Sequence, residues 1–153
     1  MTSRREARRT AIDILYQADL TDSDPSLVSA EWRDAGRAIS PFTGELVDGV
    51  EAHLPEIDLL LEEHSEGWSV ARMAALDRTI LRVGIHELLH RTDVPASVAI
   101  SEAVEAATDL SSEGSPRFVN GILGKIASEM RPSADEGQGT SEGTARAEGT
   151  ERI

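Results

Sequence analysis

The sequence opens on Arg4-Arg5-Glu6-Ala7-Arg8-Arg9, four guanidinium groups within six residues. Wound into a helix, these arginines span an arc of about 140°, roughly opposite the apolar stripe of the same segment. Tyr16 projects into the sector of Arg5 and Arg9, two to three turns further along. Guanidinium groups fork onto phosphate oxygens and an aromatic ring can take a base on its face. The combination is a minimal surface for single-stranded RNA. A solvated helix face has the same spacing. Arginine at a helix start opposes the macrodipole, however, so four of them there tilt the balance toward a function.

A second stretch, His86-Glu87-Leu88-Leu89-His90, fits the H-E-x-x-H pattern. In a zinc hydrolase two histidines one helical turn apart bind the metal and the glutamate activates water. No histidine follows His90, so Glu102 or Glu105 would have to supply the third ligand. Two histidines on one helical face are also the expected look of a polar stripe, and the sequence favours that. A third stretch, Ser115-Pro116-Arg117-Phe118-Val119-Asn120-Gly121, joins a helix start, which welcomes an anion, to an arginine, an aromatic and an amide. Phe118 in the core and Asn120 on the backbone fit those residues equally well. No Ser-His-Asp ordering, phosphate-binding glycine loop or paired buried carboxylates stand out. The expectation is a protein without catalytic residues, cofactor or metal.

These residues need elements to carry them, and the apolar period is helical nearly throughout residues 1–131. Ser3 or Thr2 can cap a first helix whose buried face is Ala7, Ala11, Ile14, Leu15 and Ala18. A second runs over about 25–36. The third starts at Ser40-Pro41, a cap followed by proline at the first helical position, and uses Leu46, Val47 and Val50. It meets Pro55 and continues or restarts through Leu61. Ser69 opens a short turn after Trp68, and a long helix follows to about His90. Its apolar residues, Leu76, Ile80, Leu81, Val83, Gly84, Ile85 and Leu88, cover well over half its circumference. Arg78, Thr79, Arg82, His86 and His90 form one polar wedge, where the helix should meet solvent or a partner. Asp77 and Glu87 fall on the apolar side; a helix cap would account for Asp77. Pro95 begins the next helix, with Val98, Ala99, Ala103, Val104, Ala106 and Ala107. Ser115-Pro116 caps the last, which buries Phe118 or Val119, Ile122, Leu123, Ile126 and Met130. About seven helices with short connections make an all-α, compact bundle.

Composition agrees. Aromatics are only 3% of 153 residues, which disfavours sheets. The absence of cysteine excludes thiol nucleophiles, thiolate zinc sites and disulfides. No apolar stretch is long enough for a signal peptide or a membrane span, so a soluble cytoplasmic protein is expected. From Pro132 to Ile153 the chain is Ser, Gly, Thr, Ala and Glu with one large aliphatic, which reads as a disordered acidic tail beyond a single domain over 1–131. That tail holds five acidic and two basic side chains, so most of the net charge of −13 lies in the folded part. Such a charge repels nucleic acid at long range, and RNA binding requires a local basic patch.

The residues also resemble a family. Arg4-Arg5-x-Ala7-Arg8 with Ala11 and Leu15-Tyr16 is similar to the start of NusB proteins. The later match is denser: Trp68, Asp77-Arg78-x-Ile80-Leu81-Arg82, Glu87-Leu88, Asp93-Val94-Pro95, Val98-Ala99-Ile100-x-Glu102-Ala103-Val104 and Phe118-Val119-Asn120-Gly121-x-Leu123. The resemblance spans nearly all of residues 3–130 and is least specific over about 20–65. It implies an all-α fold of two helical subdomains without catalytic activity. It further implies binding of boxA RNA as a heterodimer with NusE, a ribosomal protein. That complex would join other Nus factors on elongating RNA polymerase and suppress termination, notably in ribosomal RNA operons. By the same resemblance Arg4, Arg5, Arg8, Arg9, Tyr16, Arg117 and Phe118 would contact RNA, and Asp77, Arg78 and Arg82 would face NusE. Family members occur as monomers and as homodimers, and a homodimer would cover the arginine face. Thr108, Ser101 and His86 stand where the family commonly has lysine, asparagine and an aromatic. The lost lysine leaves a basic partner to supply positive charge. The alternative role is a NusB-like accessory module for RNA modification.

Overall fold

The structure is a computed structural model that describes residues 2–131; the segment expected to be a tail, 132–153, lies outside the described residues. Ser3 starts helix α1 (Arg4–Thr21) with a capping box. Its Oγ accepts from the Glu6 N–H, and its own N–H donates to the Glu6 carboxylate, each at 3.1 Å. α1 ends at Asp22, which takes the left-handed φ of 54° that aspartate tolerates. α2 (Pro25–Asp34) and α3 (Pro41–Ala52) each begin on a proline, the latter behind a Ser40 cap. Pro55 has no N–H to offer the Glu51 carbonyl. The helix therefore stops at Ala52, turns through His53 and restarts as α4 (Leu54–His64) with Pro55 in its first turn.

One 3₁₀ turn (Val70–Arg72) leads into α5 (Ala75–His90), followed by α6 (Ala96–Leu110) and α7 (Ser115–Met130). Among the described residues all regular structure is helical. α1, α2 and α3 pack on one another, α4, α6 and α7 gather round α5, and α5 also meets α1 and α3. One apolar core runs through both groups. Ile80, Leu81, Val83, Ile85 and Leu88 of α5 are all buried in it, each such side chain contributing about 1.5–3 kcal/mol. Gly49 lets α3 approach α5 closely, since a Cβ there would collide with the His86 ring.

Several expectations are corrected by this packing. The polar wedge of α5 is not a free face, because α1, α3 and α4 pack against α5 and Thr79 and His86 are buried, His86 against Gly49 of α3. Asp77 caps nothing: Ala74 is the cap residue, and the Asp77 carboxylate accepts from Ser111 Oγ at 2.5 Å. Ser115 is not the cap of α7 either. Gly114 precedes the helix, and the buried Ser115 hydroxyl lies 3.0 Å from Ser111 Oγ and 3.1 Å from Ser112 Oγ. These contacts pin the start of α5 to the turn between α6 and α7. Val98 and Met130 sit on the exposed sides of their helices, and Val119 occupies the core position for which Phe118 was the other candidate.

Candidate nucleic-acid interface

The arginines of α1 divide into two sets. Arg5 and Arg9 look outward along a seam with α6. Arg5 donates from Nε and Nη2 to the two oxygens of Glu102, at 3.1 and 3.0 Å. Arg9 Nη2 donates to Asp109 Oδ2 at 2.9 Å. The hydrogen bonds from Arg5, ahead of the attraction of its charge, hold the Glu102 carboxyl below the usual carboxylate range. Arg4 stands at the helix start, 4.3 Å above the Phe42 ring and 3.5 Å from Asp93.

Arg8 corrects the expectation of a four-arginine outer face. Its side chain is 9% exposed and forks onto the 2%-exposed carboxylate of Glu87, with bonds of 2.8 and 2.9 Å. This pair explains why Glu87 can stand on the apolar side of α5. A buried carboxylate needs a partner, and Arg8 offers two parallel donors. Arg8 cannot reach a phosphate without leaving Glu87 uncompensated in the core.

Tyr16 is half-buried on the outer part of α1. At the start of α7 Arg117 is exposed and Phe118 half-buried against the core. Trp68, which served only as a family landmark in the sequence, is exposed beside Phe118, and the two share the walls of adjoining surface cavities. A tryptophan directly after Glu66-Gly67, in a turn of otherwise polar and small residues, was the available signal.

The residues expected to face a protein partner are largely engaged within the chain. Arg78 donates to Asp19 at 2.6 Å and to the carbonyls of Val70 and Met73 at 2.9 and 3.1 Å. Arg82 makes two 2.9 Å bonds to Asp58. Both arginines still line an open cleft of about 520 Å³, but Asp19, Asp58 and Glu62 line it too. Neutralised guanidiniums with carboxylates around them make that mouth acidic. Asp77 is buried and turned toward Ser111.

His86, Glu87 and His90 do not form a zinc site. Glu87 is bound to Arg8, His90 Nε2 lies 3.1 Å from a Glu56 oxygen, and the His90 ring stacks on His53 with centroids 3.8 Å apart. Among the described residues no group of three or more His, Cys, Asp or Glu side chains is placed to hold a metal ion. His86 is buried with Nδ1 unpartnered among them. Burial, then the nearby positive charge of His90, His53 and Arg91, pushes its pKa down to about 4. No helix among the described residues is long and apolar enough to cross a membrane.

Residues 5–128 match the NusB family. A transcription antitermination protein NusB from Saccharopolyspora erythraea is 50% identical over 135 residues, covering 83% of this chain and 88% of that protein. A solved structure of T. maritima NusB superposes with a TM-score of 0.78 at 33% identity, over 88% of this chain and 97% of that one. A chain from a crystal structure of antitermination factors NusB and NusE with double-stranded RNA has a TM-score of 0.73 at 28% identity, over 82% and 96%. With the family matched across almost every described residue, the chain belongs to the NusB family.

Proposed function

We propose that this chain is a transcription antitermination factor that binds boxA-type single-stranded RNA together with NusE and joins the elongating RNA polymerase with other Nus factors, notably on ribosomal RNA operons. Its family membership supports the role. The observation that carries the mechanism is the α1–α6 seam, where Arg5 and Arg9 present guanidiniums to carboxylate oxygens at the surface. Glu102 and Asp109 occupy the positions that phosphate oxygens would take, so the donors are already aimed at anions. Arg4, Tyr16, Arg117 and Phe118 extend this surface. Arg8 supports it from within, holding α1 against α5.

The work is binding, with no bond made or broken, in the cytoplasm where transcription proceeds. A net charge of −13 weakens RNA attraction at long range, and a basic partner offsets it. The acid-rimmed cleft at Arg78 and Arg82 suits such a partner. The test is binding of a boxA-type RNA with and without NusE at low and moderate salt. Weak binding alone, tightened by NusE and lowered by salt, is expected. No binding under any of these conditions would overturn the reading.

A further inference from the structure

The turn after α4 holds a tryptophan in water. Glu66 and Gly67 take φ of 53° and 92°, and Ser65, buried, receives the Trp68 N–H on its carbonyl at 3.2 Å while its hydroxyl donates to the Trp68 carbonyl. The backbone is thus tied down while the side chain is displayed: Trp68 is 56% exposed. The other tryptophan is treated differently. Trp32 has the Arg37 guanidinium 3.4 Å above its ring and donates its indole N–H to Gln17 at 3.0 Å. Among the described residues Trp68 has neither a covering cation nor an indole acceptor. A large aromatic held out by a fixed turn loses apolar stabilisation in the free protein, which a ligand on its face would restore.

Its surroundings indicate which ligand. Trp68 and Phe118 together wall two adjoining surface cavities, of about 260 and 210 Å³. Arg72 lines the first, and Arg117 and Lys125 line the second. Lys125 is paired with Glu66, which lines the second cavity, and Asp77, turned to Ser111, lines the first, so Arg72 and Arg117 are the cations left beside the rings. Two aromatic rings with an arginine on either side match the base and phosphate of a nucleotide strand. The position is continuous with the arginine seam. Arg9 ends that seam on Asp109, near the end of α6; Ser111, two residues on, bonds to Asp77; and Asp77 and Ser115 line the same cavity as Trp68 and Phe118. A strand that exchanges its phosphates for Glu102 and Asp109 is led to the two rings.

We infer that Trp68 and Phe118 form a base-stacking cleft at the end of the α1–α6 seam, with Trp68 as an RNA contact and Arg72 and Arg117 receiving the flanking phosphates. This rests on the RNA-binding reading and adds the site at which bases are held. The rings take unstacked bases face-on, so the preferred ligand is single-stranded.

In a Trp32→Phe background Trp68 is the sole tryptophan fluorophore. Titration with a single-stranded boxA-type RNA, in the presence of NusE, should quench its emission. Trp68→Ala should weaken RNA binding about 5- to 150-fold, the range for losing one stacked base, with an unchanged salt slope because every phosphate-binding cation is retained. Trp68→Phe should recover most of the affinity, and both variants should melt with the parent because the ring is largely outside the core. RNA bound at full affinity by Trp68→Ala would overturn the inference while leaving the antitermination reading in place. Loss of NusE binding with RNA affinity intact would assign the surface to the protein partner and would equally overturn it. Failure of the parent protein to bind RNA at all would remove both readings.

Discussion

Arg8 and its neighbours Arg5 and Arg9 lie within one turn or so of the same helix and each ends on a carboxylate, yet they belong to different layers of the molecule. The Arg8–Glu87 pair is closed off from water, with both side chains under 10% exposed; each rim pair keeps one partner in water, Arg5 at 56% against Glu102 at 17%, and Asp109 at 51% against Arg9 at 27%. In the interior, removing one partner strands a charge, so the pair behaves as part of the fold. At the rim water and salt screen the pair, so its net contribution is small and an outside anion can replace the carboxylate at little cost. Solvent access alone thus decides whether an arginine of α1 is locked into the fold or left open to an outside anion.

The largest effect follows from breaking the inner pair. Glu87→Ala should lower unfolding free energy by about 3–5 kcal/mol, because the Arg8 guanidinium stays buried without an anion. Urea denaturation measures this. Arg8→Met combined with Glu87→Leu should return much of the loss, since an apolar pair of similar volume removes the stranded charge. A Glu87→Ala variant as stable as the parent would place this pair with the rim pairs and dissolve the distinction.

The inner layer should also answer to pH, and the rim to salt. His86, beside Glu87, is neutral in the fold, with its pKa depressed from 6.5 to about 4 by burial and then by the charges of His90, His53 and Arg91. Below pH 6.5 the unfolded chain takes up a proton that the folded chain refuses. The stabilisation is therefore full above pH 6.5 and is lost as pH falls toward 4. At about 1.4 kcal/mol per unit, roughly 2 kcal/mol should go between pH 6.5 and 5. His86→Phe, which keeps a flat ring against Gly49, should flatten this part of the stability profile. An unchanged slope would assign the acid sensitivity elsewhere.

The helices were legible because the apolar spacing of 3.6 is kept in every one, and because Ser3, Ser40 and Pro55 mark starts and a break by local chemistry alone. The division of the arginines was half-legible. The spacing that sets the arginines opposite the apolar stripe fails for Arg8, which lies four residues before Ile12 and seven before Leu15, both buried. Its charge argued the other way, and the carboxylate that settles the matter is 79 residues distant in sequence. Asp77 misleads for the same reason: it has a local capping explanation, but its hydroxyl partner Ser111 is 34 residues away and meets it only when the end of α6 folds back on α5. Ser115 misleads locally, since its hydroxyl turns to Ser111 and Ser112 in the preceding turn instead of capping α7. Trp68 was visible as a residue and not as a site, since Phe118 and Arg117, which flank it with the nearby Arg72, come from α7.

At the rim, Arg5→Ala with Arg9→Ala should leave the unfolding free energy within about 1 kcal/mol of the parent. RNA affinity should fall, and the dependence of its logarithm on log salt should become shallower by about 0.7 for each phosphate no longer neutralised, about 1.4 for the two arginines together. An unaltered salt slope would show that these two arginines are merely solvated, and Arg117 with the α7 surface would then carry the phosphates.

The smallest effect is the sharpest on the rim's side of the comparison. Glu102 holds Arg5 through two hydrogen bonds, and Arg5 in turn keeps the Glu102 carboxyl ionised below its usual range. For RNA to engage Arg5 this carboxylate must be released, and it then stands as a negative charge beside the incoming phosphate. Glu102→Gln removes that charge and keeps the size and one acceptor oxygen. RNA binding should strengthen by a few-fold, since a charge pair with one partner in water is worth about 1 kcal/mol or less, and stability should change little. If Glu102→Gln instead weakens RNA binding, the carboxylate is positioning Arg5 for the phosphate; its part would then be structural, as that of Glu87 is toward Arg8, and the line between the two layers would run through α6 itself.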